Sequence, residues 1–319
     1  MSIITFGRID KKLIIVLILI ILRTIELIVD NEVDGDYSNS YINSLANEIA
    51  PILAGVVLLF TFKQKQKDED KSKKSFKYIF YFFILRAIKC CYEKMYSYFI
   101  KGKKYKFNNI INTINGVEII LITFGTLFML KYKYYTHHYI SMVIFSVLGI
   151  TTDFIIESYS IMNFQYIYIY IIYIINEVLL LCYSKYMMDK LYYHYSEIVL
   201  YWGILGLIAK LIIFSSLAVH EYVNNIDNSI LHGLYTYFKE TSVVIIIFYQ
   251  FFYYIIYNFL YYVLIIVMIY YLRPNHMIIS DEIQEIQELI FYKDWPNKYY
   301  ALIPLSLQML ALLFYFEIL

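Results

Sequence analysis

The chain has 319 residues, of which 61% are hydrophobic, and its formal net charge is +1. Apolar runs of about 20 residues, long enough to cross ~30 Å of hydrocarbon, recur from end to end and leave no stretch for a sizeable soluble domain. The near-neutral balance gives no global bias towards nucleic acid, so charges matter by position. The expected class is an all-α, polytopic transmembrane helical bundle.

Arg8, Lys11 and Lys12 precede the first apolar run, predicted to span 12–29. Its length, and Arg23 and Glu26 where a small-residue cleavage site would sit, favour a first transmembrane helix over a cleaved leader. Those two residues are three apart and can pair on one face. Further spans are predicted at 45–63, 77–97, 110–131, 138–156, 165–187, 196–219 and 247–272, with a last one at 299–317. The stretch 235–272 is too long for one helix and must begin outside the bilayer or break near Asn258. Between the last two spans, 276–290 carries Ile279, Ile283, Ile286 and Ile290 on one face, with Asp281, Glu282, Glu285 and Glu288 on the other. By hydropathy it is an interfacial amphipathic helix, and it crosses only if its acidic face looks into the bundle.

The basic loops set an orientation. Seven lysines lie between Lys63 and Lys77; Lys131, Lys133, Lys185, Lys190 and Arg273 fall on the same side, which is the side of the N-terminus. The first external loop carries Asp30, Glu32, Asp34 and Asp36. The loop with Lys101, Lys103, Lys104 and Lys106 opposes this order, but the early helices dominate. The N-terminus is therefore expected in the cytosol.

Ionisable groups inside spans are costly and each is a functional candidate. Arg86 and Lys89 lie one turn apart in the third span, with Glu118 of the fourth as their expected partner. Asn176 and Glu177 are deep in the sixth span, and Lys210 stands mid-way along the seventh with no short route to either surface. Lys210 and Glu177 are expected to pair, or Lys210 to serve as a cation site for an anionic solute. Gln250 and Asn258 add hydrogen-bonding groups to the eighth span. Asp153 and Glu157 sit at the end of the fifth.

The other chemistry is sparse. Cys90, Cys91 and Cys182 fall in apolar segments, where cysteine behaves as a small hydrophobe. His137 and His138 precede the fifth span; His194, His220, His232 and His276 are scattered among loops and helix ends. No metalloprotease, nucleophile-elbow or phosphate-loop motif is present. The expectation is a non-enzyme with no catalytic residue, cofactor or metal.

Three stretches carry a resemblance. G-V-E-I-I-L-I-T-F-G-T-L-F-M-L-K-Y-K-Y-Y-T-H-H-Y-I-S (116–141) is a span, a basic turn and a His/Ser restart. N-E-V-L-L-L-C-Y-S-K-Y-M-M-D-K-L-Y-Y-H-Y-S-E-I-V-L-Y-W-G-I-L-G (176–206) is a span, a K-Y-M turn and a Gly-containing restart. Y-L-R-P-N-H-M-I-I-S-D-E-I (271–283) is a turn leading into a polar helix start. Together they resemble the fourth to ninth helices of the drug/metabolite transporter superfamily, in particular its nucleotide-sugar-transporter-like branch. They are patterns of residue type, and the chain departs from the family in its scarcity of Gly and Ala and in the four charges of 276–290.

The resemblance implies ten helices in two inverted five-helix repeats, 1–157 and 158–319, with both termini in the cytosol. It implies a multi-pass transporter of the endomembrane (Golgi or ER) type that moves a nucleotide sugar or other small anionic or polar solute by alternating access. Lys210, Glu177, Asn176, Arg86 and Glu118 are then the expected solute-binding residues, the two cations attracting the anion and the two carboxylates neutralising them in its absence. The expected partners are the lipid bilayer, the small-molecule solute and a second copy of the chain, with no nucleic acid. Two other readings stay open: a non-transporting scaffold or accessory subunit, and an intramembrane enzyme built on His137, His138 and Asp153.

Overall fold

The computed structural model describes residues 18, 21, 40–61, 75–101, 111–157, 167–223, 234–235, 237–239, 255–271, 274, 300 and 302–315. Among them there is no strand. Eight helices follow in order: α1 (Ser40–Thr61), α2 (Phe76–Lys101), α3 (Ile111–Gly125), α4 (Thr136–Glu157), α5 (Ile167–Leu191), α6 (Tyr195–Val223), α7 (Asn258–Tyr271) and α8 (Leu302–Tyr315). Each predicted span from 45–63 onward has its helix. The span 12–29 apart from residues 18 and 21, its Arg23–Glu26 pair, Gln250, the basic loop 62–74 and the amphipathic 276–290 segment lie outside the described residues.

Local chemistry fixes the helix ends. Ser75 caps α2, its Oγ accepting from the Lys77 amide at 3.4 Å. At the start of α6, the His194 amide donates to Glu197 Oε2 at 2.9 Å, the returning half of a capping box. His138 plays the same part for α4, its Nδ1 accepting from the Tyr135 amide at 3.1 Å. α3 widens into a π-helical turn over Thr126–Leu130 and closes on Lys131 in the left-handed region, at φ 57°. α5 closes on Tyr192 at φ 58°, with the Tyr193 amide returning to the Met187 carbonyl at 3.1 Å. Burial raises the Tyr193 phenol above its usual value, assisted by the nearby Tyr201, Glu197 and Tyr78.

These turns and caps gather at one end of the bundle. Tyr132 donates to Asp189 Oδ2 at 3.1 Å, Lys185 to the Tyr270 carbonyl at 2.8 Å and Tyr193 to the Ser75 carbonyl at 3.5 Å. Lys77, Lys131, Lys133, Lys185 and Lys190 therefore belong to a common basic end, as the loop charges predict.

Two packed cores result. The larger joins α1, α2, α3, α5, α6 and α7 through Ala54, Phe82, Ile122, Leu180, Ile198 and Ile266. The smaller joins α3, α4 and α8 through Ile119, Phe145 and Leu312, with Thr123 and Tyr315 hydrogen-bonded at 2.6 Å beside it. The outer faces are apolar: Val56, Phe60, Val143, Val147, Ile212 and Phe314 are exposed, while Glu48, Arg86, Asn176, Lys185, Lys210 and Gln308 are buried. Apolar outside and charged inside is the distribution a hydrocarbon solvent demands. Three of the described segments, Ile42–Thr61, Ile171–Leu191 and Tyr195–His220, are long and apolar enough to cross a membrane. The protein has the character of a helical membrane protein.

Candidate functional site

α1 and α6 approach each other closely, and glycine makes the contact. A Cβ on Gly55 would stand 2.7 Å from the Leu200 amide nitrogen, and one on Gly203 would stand 2.8 Å from the Glu48 carbonyl oxygen. A Cβ on Gly206 would fall on the Glu48 carboxylate and within 2.5 Å of Arg86 Nη2. The chain has only 10 glycines; two of them bring these two backbones together and a third leaves room for the Glu48 carboxylate. Pro51 lies inside α1, one turn beyond Glu48, and its missing N–H frees the Asn47 carbonyl. Asn47 Oδ1 accepts from Asn258 of α7 at 2.9 Å.

At this contact Glu48 takes two cations. Its Oε2 accepts from Arg86 Nη2 of α2, and its Oε1 pairs with Lys210 Nζ of α6 at 2.8 Å. The side chains are 2% exposed for Glu48 and Arg86 and 6% for Lys210. Lys210 also donates to the Ser44 carbonyl at 3.0 Å, one turn before Glu48. The Arg86 guanidinium lies over the Trp202 ring, 5.5 Å from its centroid, and the buried Trp202 Nε1 has no hydrogen-bond partner among the described residues. The Cys90 thiol, one turn along α2, donates to the Gly206 carbonyl at 3.9 Å.

The depth of this triad follows from helix rise. Arg86 is 10 residues from the start of α2 and Lys210 is 15 from the start of α6. At 1.5 Å per residue they stand about 15 and 22 Å from the basic end, near the middle of a ~30 Å hydrocarbon layer. Glu48, 13 residues before the end of α1, reaches the same level at about 20 Å.

The predicted site residues therefore divide. Arg86 and Lys210 meet, but through Glu48. The expected partners differ: Lys89 pairs with Glu177 at 2.5 Å, part-buried at the edge of the same region, with the Tyr173 ring 5.8 Å from the ammonium. Asn176 Nδ2 donates to the Leu85 carbonyl at 3.2 Å, tying α5 to α2 next to Arg86. Glu118 is half-buried on α3, a helix that packs against α4 and α5, whereas Arg86 faces α6. His137 and His138 lie against each other with tilted rings, centroids 4.1 Å apart, and His138 meets Tyr315 edge-on. Asp153 lies far along α4 from them. Among the described residues no group of three His, Cys, Asp or Glu side chains is placed to hold a metal ion.

Glu48 is the residue missed. With the span taken to begin at 45, it sits only three residues inside and is not among the charged groups singled out from the sequence. The helix begins at Ser40, which puts Glu48 more than two turns deep. Asn176 gives a modest check on how the region is held. Asn176→Leu removes one interhelical hydrogen bond, but the Leu85 carbonyl keeps its own helix. A loss of about 0.6 kcal/mol is expected, read from thermal unfolding in detergent.

No protein-family model matches the chain, and no curated protein is significantly similar to it.

Proposed function

We propose that the protein is a membrane transporter for a small anionic solute, and that Arg86 and Lys210 are its anion-binding pair. One observation carries this reading: two cations from different helices are buried near mid-membrane on a single carboxylate. The three side chains together bear a formal +1. An anionic group entering between α1, α2 and α6 can replace Glu48 as their counter-ion. Trp202, beneath the guanidinium, offers an aromatic face and an Nε1 donor with no partner among the described residues. Glu177, the other carboxylate of the region, balances Lys89 instead of Lys210.

The helix packing supports two five-helix repeats with alternating access. If 1–157 and 158–319 are equivalent, α1 corresponds to α6, α2 to α7 and α4 to α8. α1 packs on α6 and α4 on α8, each helix on its own counterpart; α2 on α6 is mirrored by α7 on α1. A pseudo-two-fold axis in the membrane plane would produce this pattern and would set a binding site at the repeat interface, between the halves that contribute the triad. The basic end faces the cytosol, and an endomembrane location with nucleotide-sugar-like cargo follows from the family resemblance alone.

The test is uptake by purified protein in liposomes, with nucleotide sugars, nucleotides and small organic anions offered together. Saturable uptake of one class is expected. Arg86→Ala and Lys210→Ala are each expected to lower it about ten-fold or more, the loss of a charge-assisted hydrogen bond of ~1.5–3 kcal/mol. Unchanged uptake in both variants removes the anion site. The glycine-tight α1–α6 contact favours a second reading, a non-transporting scaffold, and absence of uptake by folded wild-type protein selects it.

A further inference from the structure

We infer that Glu48 is a proton-coupling group: the anion binds to Arg86 and Lys210 together with one proton taken up by the Glu48 carboxylate. This rests on the anion-binding reading above and adds its driving force.

Consider what the anion leaves behind. Glu48 is 2% exposed, and both of its ion-pair partners are the cations the anion would take. Gly206 lies against the carboxylate so closely that no side chain atom fits between them, so the carboxylate has no room to withdraw towards α6. Displaced from both cations at mid-membrane, an ionised carboxylate would be a lone buried charge. Taking up a proton removes that charge, and the neutral acid can still donate or accept a hydrogen bond. The proton comes from water on the side open to solute, so solute and proton enter together. Binding of one is linked to binding of the other, in both directions.

The groups around Glu48 allow this assignment. From α2 come Arg86 and Cys90; from α6 comes Lys210; from α7 comes Asn258, bonded to Asn47. The described histidines, His137, His138, His194 and His220, stand at the helix starts or near the last turn of α6. Glu177 is engaged with Lys89. Among these, Glu48 alone both contacts the two cations and gains a proton without creating a charge.

The experiment uses full-length protein in detergent with inorganic sulfate, which keeps its double negative charge through the neutral and mildly acidic range. Sulfate affinity is followed by titration calorimetry at a series of pH values. Wild-type affinity is expected to strengthen as pH falls, by up to about ten-fold per pH unit for one linked proton. Calorimetry in buffers of different ionisation enthalpy should count one proton taken up per sulfate. Glu48→Gln, which keeps the shape and loses the titration, should bind sulfate more tightly at neutral pH with no pH slope.

Wild-type binding that is flat with pH, or the same slope in Glu48→Gln, overturns the proton coupling and leaves the anion site standing. Sulfate binding that persists in Arg86→Ala and Lys210→Ala, or is absent from every form at every pH, overturns the anion site itself. Should Glu48→Gln not fold, the proton count on wild-type protein decides alone: zero protons per sulfate refutes the inference.

Discussion

Glu48→Ala is expected to destabilise the folded protein by about 3–5 kcal/mol, because it leaves two buried cations without their shared counter-ion. Arg86 and Lys210 lie at mid-helix depth, 2% and 6% exposed, and neither has a short path to water. The measurement is thermal unfolding in detergent, where a loss below about 1 kcal/mol would mean that the two cations find other counter-charges readily. A companion variant separates stability from function. Replacing all three charged residues by apolar ones of similar size (Arg86→Met, Glu48→Leu, Lys210→Met) removes every desolvation cost along with the pairing. Such swaps are commonly neutral or stabilising. The triple variant should therefore fold at least as well as Glu48→Ala and carry no solute. A triple variant that folds and still transports would make the triad mere cement between helices.

Much of this arrangement is legible in the sequence, and the reason is chemical. Apolar runs of membrane length leave few options besides helices, so each predicted span from 45–63 onward meets one. Arg86 and Lys210 stand out because a charge amid Ile and Leu must find a partner. Which partner is another matter. Glu48 lies 38 residues from Arg86, and the choice between it and Glu118 depends on which helices touch. Sequence spacing fixes the face of one helix; it does not say that α2 packs on α6 while α3 packs on α4. The start of α1 is equally opaque, since Ser40 to Ser44 is too polar to extend an apolar window yet continues the helix. The turns at Lys131 and Tyr192 give no signal either. Both adopt the left-handed conformation that glycine usually supplies, so the sequence carries no glycine there to announce a helix end.

The α1–α6 contact also yields the second large effect. Gly203→Ala is expected to cost about 1–3 kcal/mol or more, the range for overpacking a filled interior. An added Cβ would stand 2.7 Å from the Ile52 amide nitrogen and 2.8 Å from the Glu48 carbonyl oxygen, and backbone atoms of a helix cannot step aside singly. α1 and α6 must therefore part. Gly125→Ala is the natural comparison, since its nearest obstacle, at 2.9 Å, is the Cys182 sulfur at the tip of a side chain. That rotamer can adjust, so the melting temperature should fall clearly further for Gly203→Ala than for Gly125→Ala. Equal effects would mean that the α1–α6 contact is loose. The functional consequence distinguishes contact from chemistry. Gly203→Ala leaves Glu48, Arg86 and Lys210 in place but moves the helix carrying Lys210 away from the one carrying Glu48. If transport requires the two repeats to rock about this contact, uptake should fall even at temperatures where the variant is fully folded. A folded Gly203→Ala variant with normal uptake would place the moving interface elsewhere in the bundle, and the triad would then lie within one rigid half.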